Sequence, residues 1–191
     1  YTSYPPVPFW DNTGIVSDNW FKEVNNAYKA GNGEVSLYLH LLFCESLCTY
    51  CACNTRITKD HSVEKPFIQR LHKEWSLYLE AFGSTPTLTD LHFGGGTPTF
   101  FSPENLGELM GGILQTSHVT KGTNFSFEAH PANTTSAHLE VLHKNGFRRM
   151  SLGVQDFNPR VMELINRKQT AEQVRAVTNL ARIIGFASVN F

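Results

Sequence analysis

Apolar and polar residues alternate through Val35-Ser36-Leu37-Tyr38-Leu39-His40-Leu41, a period of two that predicts a half-buried strand. Residues 88–93, 124–129, 148–154 and 186–191 carry similar short apolar runs and read as further strands. Between them the period lengthens to that of a helix. Residues 61–82 set Phe67, Leu71, Trp75, Tyr78 and Leu79 at helical spacing and stop at Gly83, a residue suited to a helix C-terminus. Ser102 and Pro103 open a helix reaching about residue 114, with Ser102 as N-cap and Pro103 in the first turn. Residues 136–144 end at Asn145-Gly146, 159–165 form a short helix, and 171–184 a longer one closed by Gly185. Near the start, 18–30 reads as a helix with Ser17 as cap, in a segment otherwise broken by Pro5, Pro6 and Pro8. Strands alternating with helices predict an α/β fold with a parallel sheet and outer helices. Periodicity does not separate an open doubly wound sheet from a barrel.

Composition narrows the class. The chain has 191 residues, a formal charge of −1 and 14 Phe, with 41% hydrophobic residues, enough to bury a core. A pI near 6.8 argues against a protein that coats nucleic acid or an anionic membrane. No apolar run approaches the roughly 18 residues of a spanning helix, and Tyr1-Thr-Ser-Tyr-Pro5 has no signal-peptide character. A cytoplasmic protein without membrane insertion is expected. The absence of a starting Met and the break inside a fifth strand point to a fragment, the front part of a longer chain.

Composition alone does not account for the cysteines. Cys44, Cys48, Cys51 and Cys53 fall in one ten-residue window, and no other Cys occurs. Disulfides within so short a span would close tiny loops and stabilise little. A metal or cluster site in a reducing compartment fits better. Three thiolates at Cys44-x-x-x-Cys48-x-x-Cys51 suit three irons of a [4Fe–4S] cube and leave the fourth open. Zinc is the alternative, with Cys53 or His40 as fourth ligand.

Other chemistry gathers at the C-terminal ends of successive strands, the functional edge of both parallel architectures. Gly94-Gly95-Gly96 permits unusual backbone angles and close approach to a ligand, and Thr97 adds a hydroxyl. Glu128 either pairs with Arg148 or Arg149 on the next strand or accepts hydrogen bonds from a cofactor. Gln155 and Asp156 follow the fourth strand. Arg167, between two helices, has the position of an ordinary surface residue.

The segment Tyr38-Leu-His-Leu-Leu-Phe-Cys44-Glu-Ser-Leu-Cys48-Thr-Tyr-Cys51-Ala-Cys53-Asn54 resembles the cluster-binding segment of radical S-adenosylmethionine (SAM) enzymes. Within them, the chain is similar to the oxygen-independent coproporphyrinogen III oxidase (coproporphyrinogen dehydrogenase) family. The likeness extends to Tyr1-Thr-Ser-Tyr-Pro5, His92-Phe-Gly-Gly-Gly-Thr-Pro-Thr99, Phe127-Glu128, Ser151-Leu-Gly-Val-Gln-Asp-Phe157 and Ile165-Asn-Arg167. It implies a truncated partial (β/α) barrel over residues 35–191, after an N-terminal extension, 1–34, with one helix. It implies that Cys44, Cys48 and Cys51 ligate a [4Fe–4S] cluster and that Cys53 does not. It implies that Tyr38, Tyr50, Gly95 and Glu128 hold one SAM, that Gly96, Thr97, Gln155 and Arg167 hold a second, and that Tyr1 and Tyr4 act near the substrate.

The implied activity is anaerobic oxidative decarboxylation of two propionates of coproporphyrinogen III to give protoporphyrinogen IX, through a 5′-deoxyadenosyl radical. The cofactor carries that chemistry. A monomer served by a flavodoxin- or ferredoxin-like electron donor is implied as well. The alternative is a haem-trafficking relative that binds cluster, SAM and haem without decarboxylation; such relatives lack the counterpart of Cys53 and the Tyr-Thr-Ser-Tyr-Pro opening. Three positions depart from the family pattern, which has Pro at Leu42, Gly at Ala52 and Asp at His130. Leu42 is expected to loosen entry to the cysteine loop, Ala52 to need a backbone that tolerates Cβ, and His130 to change the charge beside Glu128.

Overall fold

The structure, a computed structural model, describes residues 17–191, with side chains from Asn19 onward; Tyr1 and Tyr4 lie outside the described residues. The elements run α1 (Ser17–Ala30), β1 (Glu34–Leu41), β2 (Phe43–Cys44), β3 (Arg56–Ile57), α2 (Glu64–Phe82), β4 (Thr87–Gly95), α3 (Pro103–Leu114), β5 (His118–Ala129), α4 (Ser136–Lys144), β6 (Phe147–Leu152), α5 (Pro159–Leu164), α6 (Ala171–Ile184) and β7 (Ser188–Asn190). One parallel sheet has the order β1-β4-β5-β6-β7.

That order settles the topology. Its strands stand in chain order, so every crossover steps the same way. Right-handed crossovers with one direction place all their helices on one face. The helices accordingly form one layer, α1 on α2, α2 on α3, α3 on α4 and α4 on α6. A doubly wound sheet would reverse direction and cover both faces with apolar side chains. Here only the helix-facing side is apolar: Leu39, Leu41, Leu91, Phe93, Phe125, Phe127, Met150 and Leu152 are buried. The opposite face carries Ser36, Tyr38, His40, His92, Ser126, Glu128 and Ser151, none of them buried. The architecture is a partial (β/α) barrel with a polar inner face. Phe147 anchors the apolar side, with ring centroids 4.9, 5.4 and 5.8 Å from Phe93, Phe125 and Phe127.

The helix ends follow local chemistry. Ser102 caps α3 by accepting from Asn105 N. Thr135 and Thr170 form capping boxes with His138 and Gln173. Gly83 and Gly185 end α2 and α6 in the left-handed region.

Among the boundaries that differ from expectation, three have a local cause, and β7 is shorter than expected, Ser188–Asn190 rather than 186–191. β5 starts at His118 rather than 124, because His118 and Val119 pair with Thr87 and Leu88 before the register shifts. A predicted helix over 61–82 is a 3₁₀ turn at His61–Val63 followed by α2. β6 ends at Leu152 rather than 154; Gly153 N still bonds Ala129 O at 3.0 Å, but Gln155 has φ 70°, which turns the chain out of the sheet.

A buried carboxylate ties the first two outer helices of the barrel together. Glu64, 1% exposed, accepts from Ser102 N at 2.8 Å and Asn105 Nδ2 at 2.6 Å, and meets His61 Nδ1 at 2.6 Å. Thus the start of α2 grips the N-terminus of α3, and with it the turn 97–101 between β4 and α3. Glu64→Ala leaves buried donors without an acceptor and is expected to destabilise the fold by about 3 kcal/mol, measured as a lower urea midpoint.

Candidate functional site

β1 delivers the chain to the cysteine loop, and a short parallel pair closes the loop at its base. Phe43 and Cys44 pair with Arg56 and Ile57, Arg56 N bonds Leu42 O at 2.9 Å, and Thr58 N bonds Cys44 O at 2.9 Å. Residues 45–55 are therefore held as a loop with both ends pinned. The next strand brings up the glycines. Gly96 N donates to Leu41 O and Thr97 N to Phe43 O, each at 3.0 Å. A Cβ at Gly96 would lie 2.7 Å from Leu42 O, and one at Gly94 2.7 Å from Tyr38 Cε2. Gly95 has φ 118°, a backbone that suits glycine. The protein's own packing thus accounts for the glycine triplet, in addition to the expected approach to a ligand.

One cavity of about 570 Å³ unites the predicted site. Cys44, Cys48, Cys51, Tyr50, Gly95, Gly96, Thr97, Glu128, Gln155 and Arg167 all line it, together with His130, Lys59 and Lys168. Tyr38 is not among the lining residues. It stands beside the cavity on the inner sheet face, 54% exposed, with its hydroxyl 3.0 Å from His40 Nδ1. Partial desolvation by its neighbours raises its phenol pKa, helped by the charges of Glu128 and Cys53.

Two simpler expectations fail. Glu128 pairs with neither Arg148 nor Arg149. Its carboxylate instead lies 3.7 Å from His92 Nε2, while Arg148 donates to His143 O and Phe147 O. Arg167 is not a surface residue. Its guanidinium donates to Gly153 O, to Gln169 Oε1 at 3.0 Å and toward Tyr50 OH at 3.4 Å, and lies 3.6 Å from Cys48 Sγ. Gly153 makes this possible, since a Cβ there would stand 2.5 Å from Arg167 Nη2.

Sequence reasoning overlooked the clamp around Arg167. Asn166, at φ 52°, donates from Nδ2 to Leu47 O at 2.7 Å. Thr49 N donates to Ile165 O at 3.1 Å, and Thr49 Oγ1 to Leu164 O at 3.3 Å. The turn after α5 therefore grips the middle of a loop more than one hundred residues earlier in the chain. The Asn166-Arg167 pair was visible in the sequence, but nothing local indicated its partner.

The donor set fits a cluster. The four cysteines are free; Cys44, Cys48 and Cys51 are half-buried and Cys53 is exposed. Burial raises the Cys44 thiol pKa, a hydroxyl contact at 3.2 Å from Thr97 lowers it, and Cys51 and Cys48 raise it. Among the described residues, no three His, Cys, Asp or Glu side chains gather closely enough to hold one metal ion. A cube takes one thiolate on each of three irons, the number that Cys44, Cys48 and Cys51 supply.

The departures at Ala52 and His130 are accommodated. Ala52 is outside the left-handed region, so its Cβ meets no backbone penalty. Burial, and secondarily the Arg167 cation, push the His130 pKa down to about 4. The ring is neutral at pH 7 and adds no charge beside Glu128; its Nδ1 accepts from Ala132 N at 3.1 Å. Leu42 is partly buried against the core, and its carbonyl anchors the loop base through Arg56.

A one-directional parallel barrel with a cysteine loop and a glycine turn at the carboxyl ends of its strands defines a domain that carries an iron–sulfur cluster and a small polar cofactor. Residues 38–191 match the Radical SAM superfamily, and the chain belongs to it; [4Fe–4S] cluster and SAM are the cofactors that membership implies. The chain is 37% identical over 193 residues to an oxygen-independent coproporphyrinogen III oxidase of Pseudomonas aeruginosa, covering 100% of this chain and 41% of the relative. It is 36% identical over 191 residues to the protein of the same name from Bradyrhizobium diazoefficiens, covering 100% and 42%. The solved coproporphyrinogen III oxidase of Escherichia coli, a radical SAM enzyme, superposes with a TM-score of 0.89 at 32% identity, over 99% of this chain and 42% of that one. The chain thus spans about two fifths of these relatives' lengths.

Two outcomes follow from this geometry. Asn166→Ala releases the clamp on Leu47 and is expected to lower iron content after anaerobic reconstitution and to speed iron loss to a chelator. The second concerns pH. The unfolded chain takes a proton on His130 near pH 6.5, the folded ligand-free chain only near 4. Its contribution is therefore full above pH 6.5 and is lost as pH falls toward 4, by up to about 3 kcal/mol. Urea midpoints of the ligand-free protein at pH 7 and 5 should differ more for wild type than for His130→Gln.

Proposed function

We propose that this chain is the cofactor-bearing part of an enzyme that oxidatively decarboxylates two propionates of coproporphyrinogen III, without oxygen, to give protoporphyrinogen IX. The likeness over the whole chain to proteins named for that reaction carries the reading. The convergence of the matched residues on one cavity supports it. In this reading residues 1–34 are an extension and 35–191 the barrel, served by a flavodoxin- or ferredoxin-like donor in a cytoplasmic monomer.

Cys44, Cys48 and Cys51 would hold the cluster, leaving one of four irons without a protein thiolate. Tyr38, Tyr50, Gly95 and Glu128 would hold one SAM, and Gly96, Thr97, Gln155 and Arg167 a second. Tyr1 and Tyr4 are assigned to the neighbourhood of the substrate. When bound, cluster and SAM would supply the one-electron chemistry that removes a hydrogen atom from each propionate; loss of carbon dioxide, with one electron passing to an external electron acceptor, would then leave a vinyl group. The protein's own residues bind and orient. Glu128, half-exposed on the inner face, offers an acceptor to an ammonium or hydroxyl of the cofactor. Arg167, fixed by Gly153 and Gln169, supplies a positive charge beside Cys48. Thr97, 3.2 Å from Cys44 Sγ, places a hydroxyl against a thiolate and moderates its charge.

The test is anaerobic incubation of the complete gene product, reconstituted with iron and sulfide, with coproporphyrinogen III, SAM and reductant, followed by mass spectrometry. The expected product has lost two carboxyl groups; none, from a protein with an intact cluster, would overturn the reading. Cys51→Ala should abolish the cluster absorbance, whereas Cys53→Ala should retain it.

A further inference from the structure

His92 has no part in the assignments above, yet it is held on three sides. It stands on the inner sheet face in register with Tyr38 of β1 and Ser126 of β5. Its Nδ1 lies 2.7 Å from Ser126 Oγ. The Tyr38 ring stacks beside it, with centroids 5.8 Å apart and planes 19° from parallel. Its Nε2 faces Glu128 Oε1 across 3.7 Å. That gap is longer than a hydrogen bond, so the two groups are neighbours without a closed bond.

We infer that His92 is a positioning residue that orients the Glu128 carboxylate toward SAM, with Ser126 selecting the imidazole tautomer that does so. A neutral imidazole carries one proton, and the group at one nitrogen decides where it sits. If Nδ1 donated to Ser126, the Nε2 lone pair would confront a carboxylate, which is repulsive. With the Ser126 hydroxyl donating to Nδ1, the Nε2 proton points at Glu128. One carboxylate oxygen is then directed toward His92, and the other is free to accept from the cofactor. Tyr38 stacks against the ring and limits its rotation. Tyr38 and Glu128, both matched to the same SAM, are in this way linked through a residue that is matched to none.

This inference rests on SAM binding and not on the identity of the porphyrinogen, so SAM binding is the readout. Dissociation constants for labelled SAM are measured by anaerobic equilibrium dialysis on the complete reconstituted protein, with iron and sulfide content measured alongside. His92→Leu should weaken SAM binding about tenfold with unchanged cluster content. His92→Gln, whose amide can donate near the Nε2 position, should bind within about twofold of wild type. In a Glu128→Ala background, His92→Leu should have no further effect, as expected when one residue acts through the other. Ser126→Ala, a milder change that keeps the fold if His92→Leu does not, should weaken binding about threefold. Additive losses of His92 and Glu128, equal losses in His92→Leu and His92→Gln, or wild-type binding by both His92→Leu and Ser126→Ala would each overturn the assignment. The expected pattern supports it whether or not coproporphyrinogen is converted.

Discussion

The ends of β1 and β4 approach so closely that side chains are excluded between them. Leu41 O and Phe43 O accept from Gly96 N and Thr97 N at 3.0 Å, and a Cβ on Gly96 would stand 2.7 Å from Leu42 O. This backbone contact brings the glycine turn against the entrance of the cysteine loop and sets Thr97 Oγ1 3.2 Å from Cys44 Sγ. Without it, two loops leaving neighbouring strands would share an edge but not a cavity. The parallel pairing of the strands brings the loops to the same end of the sheet.

Proximity of one pair does not hold a loop still. The cysteine loop is constrained twice more, by the β2–β3 pair at its base and by the turn at 164–167 across its middle. The second constraint comes from residues near the far end of the described sheet, which makes the site a property of the assembled barrel. Asn166 and Gln155 adopt positive φ, a conformation that costs free energy for residues with a Cβ; both lie at this junction. Glu64 secures the other side by fastening α2 to the turn preceding α3.

The polar inner face explains how a short parallel sheet can be half uncovered. Helices remove one face from water, and the alternating residues of β1, β4 and β5 leave Tyr38, His40, His92, Ser126 and Glu128 on the other. The strand spacing of β1 was plain in the sequence because its alternation is strict. The β2–β3 pair was not, since two-residue strands have no period. The early part of β5 escaped for a different reason: residues 118–123 are mostly exposed and polar, so no burial pattern marks them. Arg167 was misjudged because its partners, Gly153 O and Gln169, are determined by how α5 folds back.

By itself the sequence determined the main helices and strands, their alternation and the cysteine triplet, because these depend on local periodicity, capping and spacing. It also determined which residues are chemically able to bind a cluster and a polar cofactor. Only the tertiary structure decided that the sheet winds in one direction, since strand order is invisible to periodicity. It alone decided that Glu128 turns to His92 rather than to an arginine, and that Asn166 and Arg167 clamp the cysteine loop. Those choices depend on register between strands and on contacts across more than one hundred residues, which no local pattern encodes.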